Sequence, residues 1–136
     1  MTTAFAPDIV KELEEKTKGL FFLSETDSPF KVFSTKSQES FPEYLYTLSG
    51  RPSSDPSAEI SLSYLFKNVT SLKEKQNQKE AENVGKYEDL MTFLIDAFKE
   101  IKVYKLGEDI HEDIFIVGTT GEGQNIILAT KAVESI

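Results

Sequence analysis

The chain of 136 residues contains no cysteine, no tryptophan and a single histidine. Without cysteine there are no disulfides, thiolate metal sites or cysteine nucleophiles, so stability must come from an ordinary core, and a reducing setting fits. One histidine, His111, excludes histidine pairs and histidine-rich zinc centres by count, and a Ser-His-Asp triad would have to run through it. Positive charge is also short, with 15 Lys plus Arg against 23 Asp plus Glu, a net charge of -8. Such a balance repels phosphate backbones and anionic lipid, because nucleic-acid affinity comes largely from cations that displace counterions. It suits docking on a basic protein surface, although acidity often serves solubility alone.

Long apolar runs are missing as well. Nothing approaches the roughly 20 residues needed to cross a bilayer. The stretch from Met1 to Glu15 is broken by Pro7, Asp8, Lys11, Glu12, Glu14 and Glu15, so it holds no signal-peptide core. The expectation is a soluble, cytoplasmic protein folded as one domain over residues 1–136.

Pro7 and Asp8 mark a helix start and Gly19 its end, with Ile9, Val10 and Leu13 on one face. Leu20 to Leu23 reads as a strand covered on both faces, Ser24 to Pro29 as a loop, and Phe30 to Thr35 as a second strand able to pair with the first as a hairpin. Pro42 to Leu48 suits a short helix, and Arg51 to Ser57 is the most loop-like stretch of the chain. Ser61 caps a further short helix carrying Leu62, Leu65 and Phe66, and Ser71 to Asn83 reads as a solvated loop or exposed helix start. From Val84, apolar residues Tyr87, Leu90, Met91, Leu94, Ile95, Phe98 and Ile101 recur at three- and four-residue steps, predicting an amphipathic helix of about five turns. Three strands follow, at Val103 to Leu106, Ile114 to Val117 and Ile126 to Ala129, the last two joined by a turn at Thr119 to Gly123. This order predicts an α+β fold, a mixed central sheet with helices packed against it as a three-layer sandwich.

The stretch Gly107 to Asp113 crowds four carboxylates around His111, which on paper could hold a hard divalent cation. The spacing matches no oxygen-cage loop, and a solvated connection between strands explains it better. Gly118, Gly121 and Gly123 lack the Lys-Ser or Lys-Thr of a phosphate loop and precede a strand, so they read as hairpin-turn glycines. No catalytic residue, metal site or cofactor is expected. The loop Ser24 to Pro29 stands out, because it joins two apolar runs and so must display its carboxylates and hydroxyls on a rigid scaffold.

The block Lys18-Gly19-Leu20-Phe21-Phe22-Leu23-Ser24-Glu25-Thr26-Asp27-Ser28-Pro29-Phe30-Lys31-Val32-Phe33, with Val103 to Glu108, Ile114 to Thr119 and Thr130 to Glu134 downstream, resembles the nuclease A inhibitor family. The resemblance spans nearly the whole chain and is weakest from Ser34 to Ala58. It implies a three-layer α/β/α sandwich, not an enzyme, that forms a one-to-one complex with a sugar-nonspecific, metal-dependent endonuclease. The inhibitor would occupy the basic active-site cleft and reach the nuclease's bound magnesium. By the same resemblance Glu25 is the loop glutamate offered to the enzyme, with Thr26 and Asp27 beside it, a carboxylate standing in for a substrate phosphate. Lys73 and Lys75 occupy positions where the family pattern carries a glutamine and a tryptophan. Ser135 matches a threonine that reaches toward the metal, and Ile136 follows it, moving the terminal carboxylate one residue outward. The alternative is an inhibitor-like adaptor whose partner is not a nuclease.

Overall fold

The computed structural model describes residues 6–23, 27–35, 41, 43–65, 78–107, 111–121 and 124–133. Among the described residues three helices, α1 (Ala6–Thr17), α2 (Glu43–Ser49) and α3 (Gln78–Ala97), combine with seven strands. The strands are β1 (Phe21–Leu23), β2 (Asp27–Pro29), β3 (Lys31–Thr35), β4 (Ser57–Ile60), β5 (Glu100–Leu106), β6 (His111–Thr119) and β7 (Asn125–Val133). β1 and β2 form a two-stranded sheet, and the others a five-stranded sheet in the order β3-β7-β6-β5-β4. The fold is α+β, as expected.

Every described pairing is antiparallel, which corrects the expected mixed sheet. The reason lies in the connections: β5, β6 and β7 follow one another through short links, and short links join antiparallel neighbours, whereas parallel neighbours need a crossover of a dozen residues or more. β3 and β4 then add as antiparallel edges to β7 and β5. The first two apolar runs do not pair with each other. β1 turns back onto Asp27–Pro29, part of the expected loop, and β3 pairs with β7. Pairing with β7 puts Val32 opposite Leu128 on the core face, burial that a free hairpin could not supply.

Period-two alternation separates the sheet into two faces. Val103, Ile114, Ile116, Ile126 and Leu128 point to one, where they join Ile9 and Leu13 of α1 and Tyr87, Leu90 and Leu94 of α3. Tyr104, Leu106, Phe115, Val117 and Ile127 point to the other, where Leu45 of α2 and Phe41 meet them. Burying a side chain of this size stabilises by about 1.5–3 kcal/mol, so the two clusters dominate what holds the fold. α3 begins at Gln78, six residues before the periodic stretch, and stops at Ala97, so Ile101 belongs to β5. Ile95, placed by spacing on the apolar stripe, is exposed.

Gly118 is a strand residue of β6 and not a turn glycine. A Cβ there would overlap the Phe98 ring, so the missing side chain is what lets the end of α3 seat on the sheet. At Gly19 a φ of 74° ends α1, with the Leu20 amide donating to the Thr17 carbonyl at 2.9 Å. Ser61 caps the helical turn at residues 62–65, accepting from the Tyr64 amide at 3.0 Å. Among the described residues no helix is long and apolar enough to cross a membrane.

Candidate functional site

The β1–β2 register pairs Phe21 with Pro29, Phe22 with Ser28 and Leu23 with Asp27, leaving a three-residue connection at 24–26. Hydroxyl Oγ1 of Thr130 donates to the carbonyls of Pro29 at 3.1 Å and Ser28 at 3.3 Å, tying the root of this hairpin to β7. Of the expected recognition residues, Asp27 has its backbone in β2. Glu25 and Thr26 lie outside the described residues, as do Lys73, Lys75, Ser135 and Ile136.

The elements that flank these segments approach one end of the sheet. β7 runs out at Val133, opposite His111, at the end where the β5–β6 connection lies. β2 touches β7 near that end. α3 is oriented by two contacts: Phe98, just past its C-terminus, covers Gly118, and Tyr87 meets the Phe30 ring edge-on with centroids 6.3 Å apart. Lys31, next to Phe30, faces Ala129, and Ala129 faces Phe115, so α3 runs from the His111 end of β6 toward its Gly118 end. Its N-terminus, which follows Lys73 and Lys75 in sequence, is therefore directed to the same end as the hairpin and the end of β7.

Of the four carboxylates around His111, Glu108 and Asp109 lie outside the described residues, and the two that are described do not converge on one point. His111, Glu112 and Asp113 are consecutive strand residues, so Glu112 and Asp113 point to opposite faces. Both are buried, which corrects the expectation of a solvated connection for these two residues. Each carboxylate meets a basic partner: Lys105 Nζ lies 3.1 Å from Glu112 Oε2, and Arg51 Nε donates to Asp113 Oδ2. Among the described residues no group of three potential ligands could hold a metal ion.

Arg51, the chain's only arginine, anchors the loop before β4. Its Nη1 donates to Asp55 at 3.1 Å and its Nη2 to the His111 carbonyl at 3.0 Å. The bond to Asp113 is the chief cause of a guanidinium pKa raised above the ordinary value, with Asp55 adding to it. Gly107, at φ 102°, leaves the room that this side chain fills, since a Cβ there would sit 2.8 Å from Arg51 Nη1. Sequence reasoning missed Arg51 and Lys105. A lone arginine just ahead of two prolines and several serines was the available signal. Among the described residues, buried Glu112 Oε1 has no hydrogen-bond partner.

A model of the family described as nuclease A inhibitor-like protein matches residues 7–135. Among curated proteins none matches the chain.

Proposed function

This chain belongs to the nuclease A inhibitor-like family, and from that premise we propose that it is a non-enzymatic protein inhibitor that blocks the active-site cleft of a sugar-nonspecific, metal-dependent endonuclease. The family match over residues 7–135 carries the reading. The net charge of -8 supports it, because a nuclease cleft built for phosphates is basic and attracts an acidic partner. In this reading Glu25, at the tip of the tied hairpin, faces basic side chains or bound magnesium as a phosphate would, flanked by Thr26 and Asp27. Lys73, Lys75, Ser135 and Ile136 complete the contact surface from the segments before α3 and after β7. The apolar clusters on both faces of the sheet, one with α1 and α3 and the other with α2, support a three-layer α/β/α domain as the scaffold. The protein acts as a cytoplasmic monomer in a one-to-one complex.

Titrating the protein into a sugar-nonspecific nuclease with magnesium present, and following plasmid cleavage, tests this. Inhibition should saturate at one-to-one stoichiometry, and Glu25→Ala should raise the inhibition constant at least about tenfold, as loss of a central anchor does. No inhibition at micromolar excess would overturn the reading in favour of a partner that is not a nuclease. Unchanged inhibition by the variant would remove Glu25 from the contact.

A further inference from the structure

On the α2 face of the sheet, away from the larger core, lies a cavity of about 390 Å³ between the end of α2 and strands β3, β6 and β7. Its apolar wall is formed by Phe33, Phe115, Leu48 and Ala129, and two ammonium groups, Lys31 and Lys131, border it. The ladder explains the cluster. Lys31 faces Ala129, Phe115 faces Ala129 from the other side, and Lys131 lies two residues farther along β7 on the same face. Phe33, two residues beyond Lys31 on β3, is one of the few large apolar side chains exposed to solvent.

Asp113 is the cross-strand partner of Lys131, yet its carboxylate is taken by Arg51. Among the described residues neither Lys31 nor Lys131 forms an ion pair. Among the described residues, an anion entering there meets two cations with no ion-pair partner to displace, the Asp113 carboxylate on the same wall being held by Arg51, and an apolar group attached to it removes the Phe33 ring from water. The volume lies in the range of roughly 300–1,000 Å³ typical of small-molecule sites, and an apolar lining with a few convergent polar groups is their usual composition.

We propose that this cavity binds a small organic anion composed of a flat apolar body and one carboxylate or phosphate group. The lysines act as point charges for the anionic group and Phe33 and Phe115 receive the body. Ser28, Pro29 and Thr130, at the root of the hairpin, also line the cavity, so it borders the proposed nuclease contact, but anion binding does not depend on that contact.

Amide chemical shifts of the labelled protein, followed during titration with 2-naphthoate, 1-naphthyl phosphate, neutral 2-naphthol and inorganic phosphate, test the proposal. At least one naphthyl anion should bind saturably, shifting Phe33, Leu48, Ala129 and Lys131, at an affinity at least about tenfold above 2-naphthol. Which of the two binds tighter identifies the anionic group. The double variant Lys31→Gln, Lys131→Gln should reduce the anion to the level of 2-naphthol and leave 2-naphthol itself unchanged. Absence of saturable shifts up to about 5 mM, an affinity range specific ligands readily exceed, would overturn the site. So would equal binding of 2-naphthol, inorganic phosphate binding as well as the naphthyl phosphate, or shifts confined to other residues.

Discussion

The two faces of the central sheet are closed by different means. One is sealed by the 12-residue α1 and the 20-residue α3, whose leucines meet a continuous aliphatic surface. Among the described residues the other carries only the seven-residue α2, which contributes Leu45 and leaves the rest to stacked aromatics, an arginine cluster and an open cavity. A helix of five turns covers several strands, and one of two turns cannot, so the second face keeps polar side chains in places the first fills with leucine. The arginine cluster and the open cavity lie where helical cover runs short, while the Lys105–Glu112 pair sits on the helix-covered face.

The sharpest way to break this comparison is to empty each face in turn. Leu94→Ala, on the helix-covered face, should lower the unfolding free energy by about 2–5 kcal/mol, while Leu45→Ala should cost less because a short peripheral helix can settle into the void. Urea denaturation measures both, and equal losses would mean that the two faces are closed equally well. Next in size is Asp113→Asn, which leaves Arg51 with Asp55 and the His111 carbonyl. A loss of about 1–3 kcal/mol is expected for weakening a partly buried, hydrogen-bonded pair. A neutral result in the same assay would make the arginine cluster a surface decoration.

The smallest effect is one of pH. Burial raises the pKa of the Tyr104 phenol above its ordinary 10.0, with nearby carboxylates adding to the shift and Lys102 opposing it. The unfolded chain therefore loses this proton first, so the contribution to stability is full below about pH 10 and is lost as pH rises through the native value. Lys16, raised chiefly by its bond to Asp89, loses its contribution on the same alkaline side. Tyr104→Phe should flatten the decline in denaturation midpoint above about pH 10, and an unaltered slope would exclude Tyr104 as its source.

Much of this architecture was legible in the sequence because it rests on local periodicity. The helix carrying Leu90 and Leu94, the strands around Ile114 to Val117 and Ile126 to Ala129, and the end of α1 at Gly19 all follow from spacing and backbone preference. β4 was not legible: Ser57-Ala58-Glu59-Ile60 alternates over only four residues, with a small and exposed Ala58, right after a loop-like stretch, and it is a strand because β5 offers it a partner edge. The hairpin root was misread for a related reason, since Asp27-Ser28-Pro29 looks like a turn and becomes strand by pairing with β1 and by the Thr130 bond. Of the site residues, Glu25 and its neighbours were singled out by their place between apolar runs and by family resemblance. The described structure reaches their roots and not their side chains.

The sequence by itself determined the class of fold, the acidic surface, the two long helices and the family, because composition and short-range periodicity are properties of neighbouring residues. Only the tertiary structure decided strand order, the antiparallel sheet and which charges are paired. It sent Glu112 and Asp113 to opposite faces and gave Arg51 to Asp113, leaving Lys131 beside a carboxylate already occupied. Those outcomes depend on contacts between residues some 60 positions apart in the chain, such as Arg51 and Asp113, and no local pattern encodes which distant groups packing will bring together.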